Sequence, residues 1–216
     1  MAIVKLGNSI PLCNGAAIEV TSANPPRLPD AYQEVEYLEV DGAVRFDLGF
    51  KGNQTLIAVL DLESIVEVTD SLQHIFGDAA TSSAAISWNI AKTGNNKSRF
   101  GSAATTSHLG GAGYPGRRVF TISATGYFIG STNYWTPSAS TFETTNNVFL
   151  IGTATATAGK NFIGRYRTST VTINNITHTY IPCYRVADNV AGVYDLYSNT
   201  FLTNTMNGTI IIGGDI

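Results

Sequence analysis

The feature that most constrains this chain is its rhythm. Apolar residues come in short runs, and each run stops at a turn former such as Asn14-Gly15, Asp41-Gly42 or Asn174-Asn175. Helices need apolar residues at three- and four-residue intervals over ten or more positions. Short runs with turn signals at regular spacing mark an all-β sandwich or barrel instead. Val44, Phe46, Leu48 and Phe50 alternate with Arg45, Asp47 and Gly49, as in a strand with one buried face. "QTLIAVLDLES" reads as a central strand and "NNVFLIGTA" as a strand buried on both faces. "QHIFGDA", "AISWNIA" and "KSRFGS" are short strands. Two further strands flank Ala124-Thr125-Gly126, and "NFIGRYRTSTVTI" pairs with "ITHTYIPCYRV" across Asn174-Asn175. "EVEYLEV" and "AVRFDLGF" read as a hairpin across Asp41-Gly42. Asp30–Gln33 is the single candidate helical turn.

Composition narrows the function classes. Hydrophobic residues make up 44% of the 216 residues, enough for a real core, while charged residues reach only 13%. About a quarter is usual for a globular chain, so Thr, Ser, Asn and Gly must keep the surface wet. Such a surface suits β-structure and close neighbours in an assembly, and a homo-oligomer is expected. Net charge is −3 and the Lys and Arg residues are scattered. A nucleic-acid partner, which calls for a basic stripe, is not expected. Nor is membrane insertion, since no apolar run approaches the ~20 residues of a spanning helix. The opening "MAIVKLGNSIPLCNG" lacks the shape of a signal peptide. Cys13 and Cys183 read as two separate thiols rather than a disulfide.

Three parts follow. Residues 1–20 form a small β-unit, with "IVKLGNSI" and "AAIEV" as strands around the turn-prone "PLCNG". Residues 21–29, "TSANPPRLP", are a stiff proline-rich linker. Residues 30–216 form the main domain.

The main domain's two ends carry a resemblance. Leu28, Pro29, Tyr32, Val35, Glu36, Tyr37 and Leu38, then Asp47, Gly49 and Phe50, follow a pattern L-P-x-x-Y-x-x-V-E-Y-[I/L] and a strand ending D-T-G-[F/Y], with Leu48 in place of the Thr. Near the other end, Tyr180, Ile181, Pro182, Cys183, Tyr184 and Arg185 precede Gly192, Val193, Tyr194, Asp195 and Leu196, then Phe201, Leu202, Thr203 and Asn204. These motifs resemble the concanavalin A-like (laminin-G-like) jelly-roll domains of bacteriophage and prophage structural proteins. The resemblance implies two antiparallel sheets packed face to face. It implies a virion protein, a capsid decoration, head fibre or tail-associated module, assembled in the bacterial host cytoplasm beside other virion proteins. The first segment looks like the β-adapters that attach such domains, with Ile3, Val4, Leu6, Ile10 and Leu12 as anchoring residues. First and last strands of a jelly roll lie side by side, so Tyr180, Tyr184, Tyr194 and Tyr197 should bury their rings there, and Arg185 should pair with Asp195.

Candidate chemistry is sparse. Glu34, Glu36 and Glu39 tempt a comparison with jelly-roll glycoside hydrolases, whose two carboxylates share one strand face. Here the spacing and the position in the first strand fit a charged edge better. No enzymatic activity, cofactor or metal is expected. A Ser-His-Asp arrangement lacks a G-x-S-x-G elbow, and His74, His108 and His178 are isolated. Asp47, Asp61, Asp78 and Asp188 lack calcium-loop spacing. A glycan site needs aromatic platforms and polar hydrogen-bonders on loops. Asn133, Tyr134 and Trp135, with His108 and Tyr114, offer these, set against a packing role for Tyr134 and Trp135. Trp88 is assigned to the core.

Overall fold

Two adjacent asparagines decide one of the longest hairpins. Asn174 (φ 50°) and Asn175 (φ 63°) both adopt the left-handed conformation, which asparagine tolerates better than most residues and which a tight hairpin requires. The structure is a computed structural model. It describes residues 28–67, 73–78, 84–90, 98–105, 115–138, 141–157 and 159–216, together with the backbone of Ile3–Val4 and Leu12–Cys13.

In chain order the strands begin with β1 (Ile3–Val4), β2 (Leu12–Cys13), β3 (Tyr32–Glu34), β4 (Leu38–Asp41), β5 (Phe46–Asn53) and β6 (Ile57–Ser64). Next come β7 (Gln73–Gly77), β8 (Ala85–Ile90), β9 (Ser98–Gly101), β10 (Ala103–Thr105), β11 (Gly116–Ser123), β12 (Gly126–Ile129) and β13 (Thr132–Trp135). The series closes with β14 (Glu143–Leu150), β15 (Ile163–Ile173), β16 (Ile176–Arg185), β17 (Val190–Asp195), β18 (Thr200–Thr203) and β19 (Ile210–Ile212). No helix occurs among the described residues.

One sheet has six strands in the order β10-β9-β8-β7-β14-β5. The other has eleven: β13-β12-β11-β6-β15-β16-β17-β18 form its path, and β3, β4 and β19 attach to it. Among the described residues the named strands all pair antiparallel, and one isolated bridge, His74 with Asn161, is parallel. Between the sheets lies one core. Phe46, Phe76, Ile86, Trp88 and Val148 from the smaller sheet meet Leu60, Leu62, Phe120, Ile122, Tyr127, Tyr166 and Val171 from the larger. This is an all-β, jelly-roll-like sandwich, and β6 is central to its sheet as its apolar run suggests.

The two ends of the main domain meet in the larger sheet. β15 and β16 pair from the Asn174-Asn175 turn as far as Ser169↔Tyr180. Beyond that pair β4 takes the β15 side, with Tyr166↔Leu38, and β3 takes the β16 side, with Cys183↔Glu34. The chain's first sandwich strands therefore wedge into the split. β19 closes on β4, with Ile210↔Val40 and Ile212↔Leu38, and Val35 bridges Asp215.

A second, smaller apolar cluster forms on the outer face of this sheet: Leu28, Ile181, Cys183 and Tyr194, with Tyr32, Leu196 and Phe201 packed on it. Tyr32 lies 4.8 Å from Tyr194 and 5.0 Å from Phe201 between ring centroids. Leu28, at the end of the proline-rich stretch, is thus part of the folded unit.

Four local expectations are corrected. Asp41-Gly42 makes no hairpin. Gly42 does take φ +87°, but β4 and β5 belong to different sheets, so the turn passes the chain from one layer to the other. Residues 30–33 are not helical: a turn closed by the Tyr32 amide on the Pro29 carbonyl (2.9 Å) leads directly into β3, whose pairing with β16 outweighs the local preference. Ile3–Val4 pairs with Leu12–Cys13, placing the second strand inside the stretch read as a turn, because apolar Leu12 and Cys13 suit an extended ladder. Tyr197 is 57% exposed, since it sits in the β17–β18 turn rather than on the sheet.

Candidate functional site

Two of the three acidic residues of the first strand region, Glu36 and Glu39, are drawn into ion pairs. Arg167 Nη1 donates to Glu36 Oε1 at 2.5 Å, and its Nη2 donates to Glu63 Oε2 at 2.8 Å. Arg165 Nε donates to Glu39 Oε2 at 3.0 Å, and its Nη1 lies 3.6 Å from Glu63 Oε1. Both guanidinium groups lie over the Tyr37 ring, at 4.5 and 5.5 Å from its centroid. Register explains the meeting: Arg165 stands opposite Glu39 on one neighbour and Glu63 on the other. One strand further on, Arg117 grips Asp61 with two hydrogen bonds, of 2.9 and 2.6 Å.

This arrangement bears on chemistry. The hydrogen bond and charge of Arg167 hold the Glu36 carboxyl below its ordinary range. A glycosidase acid must instead keep its proton near neutrality. The geometry at Glu36 and Glu39 does structural pairing. A group whose folded value is depressed lends stability above its unfolded value and loses it as pH falls through the folded one. The expected result is therefore that Glu36→Gln flattens the decline of melting temperature below the ordinary carboxylate range, relative to the unmodified protein. Parallel melting curves across acid pH for the two proteins would contradict this pairing.

The candidate glycan residues divide. Asn133, Tyr134 and Trp135 lie on β13, the edge strand of the larger sheet. Trp135 pairs with Tyr127 and Asn133 with Phe128, so Tyr134 is the extra residue of a bulge. The Trp135 ring meets the buried Tyr127 ring edge-on at 4.9 Å. Both Tyr134 and Trp135 are half-buried and pack on the main core. Asn133 accepts from the Trp135 amide at 3.1 Å and donates to Thr136 Oγ1 at 2.9 Å. The pair thus staples the edge hairpin to the sandwich while keeping part of each ring in solvent. His108 and Tyr114 lie outside the described residues, as do Leu6 and Ile10; of Ile3, Val4 and Leu12 only the strand backbone is described.

Two polar clusters escape sequence reasoning. His178 Nδ1 and Asp195 Oδ2 are 2.7 Å apart, and the imidazole packs near Phe50, Tyr180 and Tyr197. Ser198 Oγ donates to the same Asp195 oxygen at 2.6 Å, so the serine addresses the carboxylate rather than the imidazole. A nucleophile relay needs the reverse order. Asp195 is thereby taken, and Arg185 pairs with Asp188 instead, at 3.0 and 2.7 Å, correcting the expected Arg185–Asp195 contact. On the outer face of the smaller sheet, His74 stands opposite Asn89, and Ser87 opposite Arg99. Asn89 and His74 share a side-chain hydrogen bond, and burial pulls the imidazole's pKa down, favouring its neutral form. A pattern of polar residues at alternate positions, His74 apart from Ser87 and Asn89, is the signal that could have found this row.

The four aspartates considered for calcium are dispersed among separate duties. Asp47 accepts from the Gly49 amide and Asn147, Asp61 from Arg117, Asp78 from the Ile86 amide and Asp188 from Arg185. Among the described residues no group of three His, Cys, Asp or Glu could hold a metal ion. Cys183 is a free buried thiol, pushed up to about 12 by burial.

Fold and surface together define a jelly-roll-like sandwich in which Arg117, Arg165, Arg167 and Arg185 are each paired with a carboxylate. Neither family models, nor curated proteins, nor solved structures match the chain.

Proposed function

We propose that this chain is a bacteriophage virion structural protein, a concanavalin A-like jelly roll displayed on the capsid or tail and attached through its first twenty residues. What supports the reading is the position of the motifs that carry the phage resemblance. Tyr32 stands opposite Arg185 and Glu34 opposite Cys183, while Tyr32, Tyr194 and Phe201 pack together. The two motifs, separated by about the whole length of the sandwich, are halves of one closing unit. They are the sort of pattern a fold imposes, and the function they imply is display rather than turnover. The sparsely charged β-surface suits contact with further copies and other virion proteins.

The test is occupancy of the particle. Purified virions should contain the chain at a copy number that is a multiple of the particle's symmetry, and imaging should place it at the surface. Particles that lack it would reject the proposal. A second reading, adhesion to host or mucosal glycans, is favoured by the partly exposed rings of Tyr134 and Trp135 at the sheet edge. On a glycan array, Trp135→Ala should lose the binding that the unmodified protein shows. A glycan-binding module with no place on the virion would give array binding together with empty particles.

A further inference from the structure

The loop between β18 and β19 contains an Asn-Gly pair with an unusual division of labour. Asn204 organises the loop. Its Nδ2 donates to the Met206 carbonyl at 2.9 Å and to the Gly208 carbonyl at 3.4 Å, and its Oδ1 accepts from the Arg45 amide at 3.1 Å and the Met206 amide at 3.0 Å. On the far side, the Thr209 amide donates to Asp41 Oδ2 at 2.8 Å. Between these anchors, the Asn207 side chain is exposed and makes no hydrogen bond, and the Gly208 N–H makes none either. Position 208 must remain glycine. A Cβ there would fall 2.2 Å from the Ala43 carbonyl oxygen and 2.7 Å from Asp41 Oδ1. The fold therefore requires glycine after Asn207 and leaves both reacting groups unengaged.

We infer that Asn207 is a site of spontaneous deamidation whose product loosens the closing strand. The Gly208 backbone nitrogen attacks Asn207 Cγ. The N–Cγ bond forms, the Cγ–Nδ2 bond breaks, and Nδ2 departs as ammonia with the Gly208 amide proton. The succinimide takes up one water. Opening at Cγ gives aspartate, and opening at the main-chain carbonyl gives isoaspartate. Both add a negative charge close to Asp41. Isoaspartate also inserts a methylene into the main chain, three residues before β19, which moves the Thr209 amide from its place on Asp41. β19 is held to β4 by three residue pairs, so a shift at its entrance bears directly on that pairing.

The test uses the full chain, incubated at mildly alkaline pH in isotopically heavy water, digested and mapped by mass spectrometry. A second sample is incubated in denaturant. The expected result is conversion at Asn207 in the folded chain at a rate comparable to that in denaturant, with heavy oxygen incorporated and isoaspartate detected by enzymatic methylation. Asn207→Ala should abolish the signal in that peptide. Conversion in denaturant with Asn207 left intact in the folded chain would overturn the inference. Hydrogen exchange reads the consequence. Amides of Ile210–Ile212 should exchange faster in the aged protein, and less so in Asn207→Asp, which gains the charge but not the methylene. Unchanged exchange after complete conversion would refute the loosening.

Discussion

Trp88→Ala should lower stability by about 3–5 kcal/mol, the range for removing a large buried aromatic. Trp88 is fully buried in β8. Its ring stacks on Tyr127 at 4.8 Å and meets Phe120 edge-on at 5.3 Å, so it joins the smaller sheet to two strands of the larger. Tyr127 is itself fixed through its hydroxyl, which donates to the Arg99 carbonyl across the core. Losing the indole removes one wall of that stack and leaves a cavity the surrounding strands can only partly fill. Denaturant unfolding should show a lower midpoint with an unchanged slope. Trp88→Phe should cost much less, because it keeps an aromatic ring and removes an indole N–H that has no hydrogen-bond partner. Equal losses for the two variants would mean that the ring is not the element holding the sheets together.

Gly77→Ala should be more damaging still. Gly77 has φ +136°, and a Cβ there would lie 2.0 Å from the Ile86 carbonyl oxygen and 2.8 Å from Ser87 Cα. Those are backbone atoms of the paired strand, which cannot move aside as a flexible side chain could. The variant should fail to accumulate as folded protein, or should lose the β7–β8 ladder. Gly49→Ala is the comparison. Gly49 also has positive φ, +76°, but nothing lies within 4 Å of the added carbon. There only the backbone strain of a left-handed residue remains, about 1–2 kcal/mol, and the protein should fold with a lower melting temperature. Soluble yield and melting temperature of the two variants distinguish close approach from strain.

The sequence was most legible where structure is local. Asn174-Asn175 and Ala124-Thr125-Gly126 turn as expected because their backbone preferences act within a few residues. The alternation leading into β5 was legible because one face is buried: Val44, just before the strand, and Phe46 and Leu48 within it are buried. Asp41-Gly42 misled because a turn signal does not say whether the next strand stays in the same sheet. The wedge of β3 and β4 between β15 and β16 depends on contacts more than a hundred residues apart, to which no local pattern points.

The candidate site shows the same division. Tyr134 and Trp135 stand out by residue type, yet their partner Tyr127 lies across a hairpin whose bulge composition does not reveal. His178 looked isolated because Asp195 follows 17 residues later, on the next strand. Glu36, Glu39 and Glu63 found Arg165 and Arg167 only once three strands lay side by side.

The most direct test is a set of backbone contacts measured by nuclear magnetic resonance on isotopically labelled protein. Cross-strand proton contacts should join Leu38–Asp41 to Ile210–Ile212 on one side and to Ile163–Tyr166 on the other. Spectra in which the early segment contacts neither, while the rest of the sandwich is folded, would contradict the joining of the two ends and remove the support it gives to a displayed virion module.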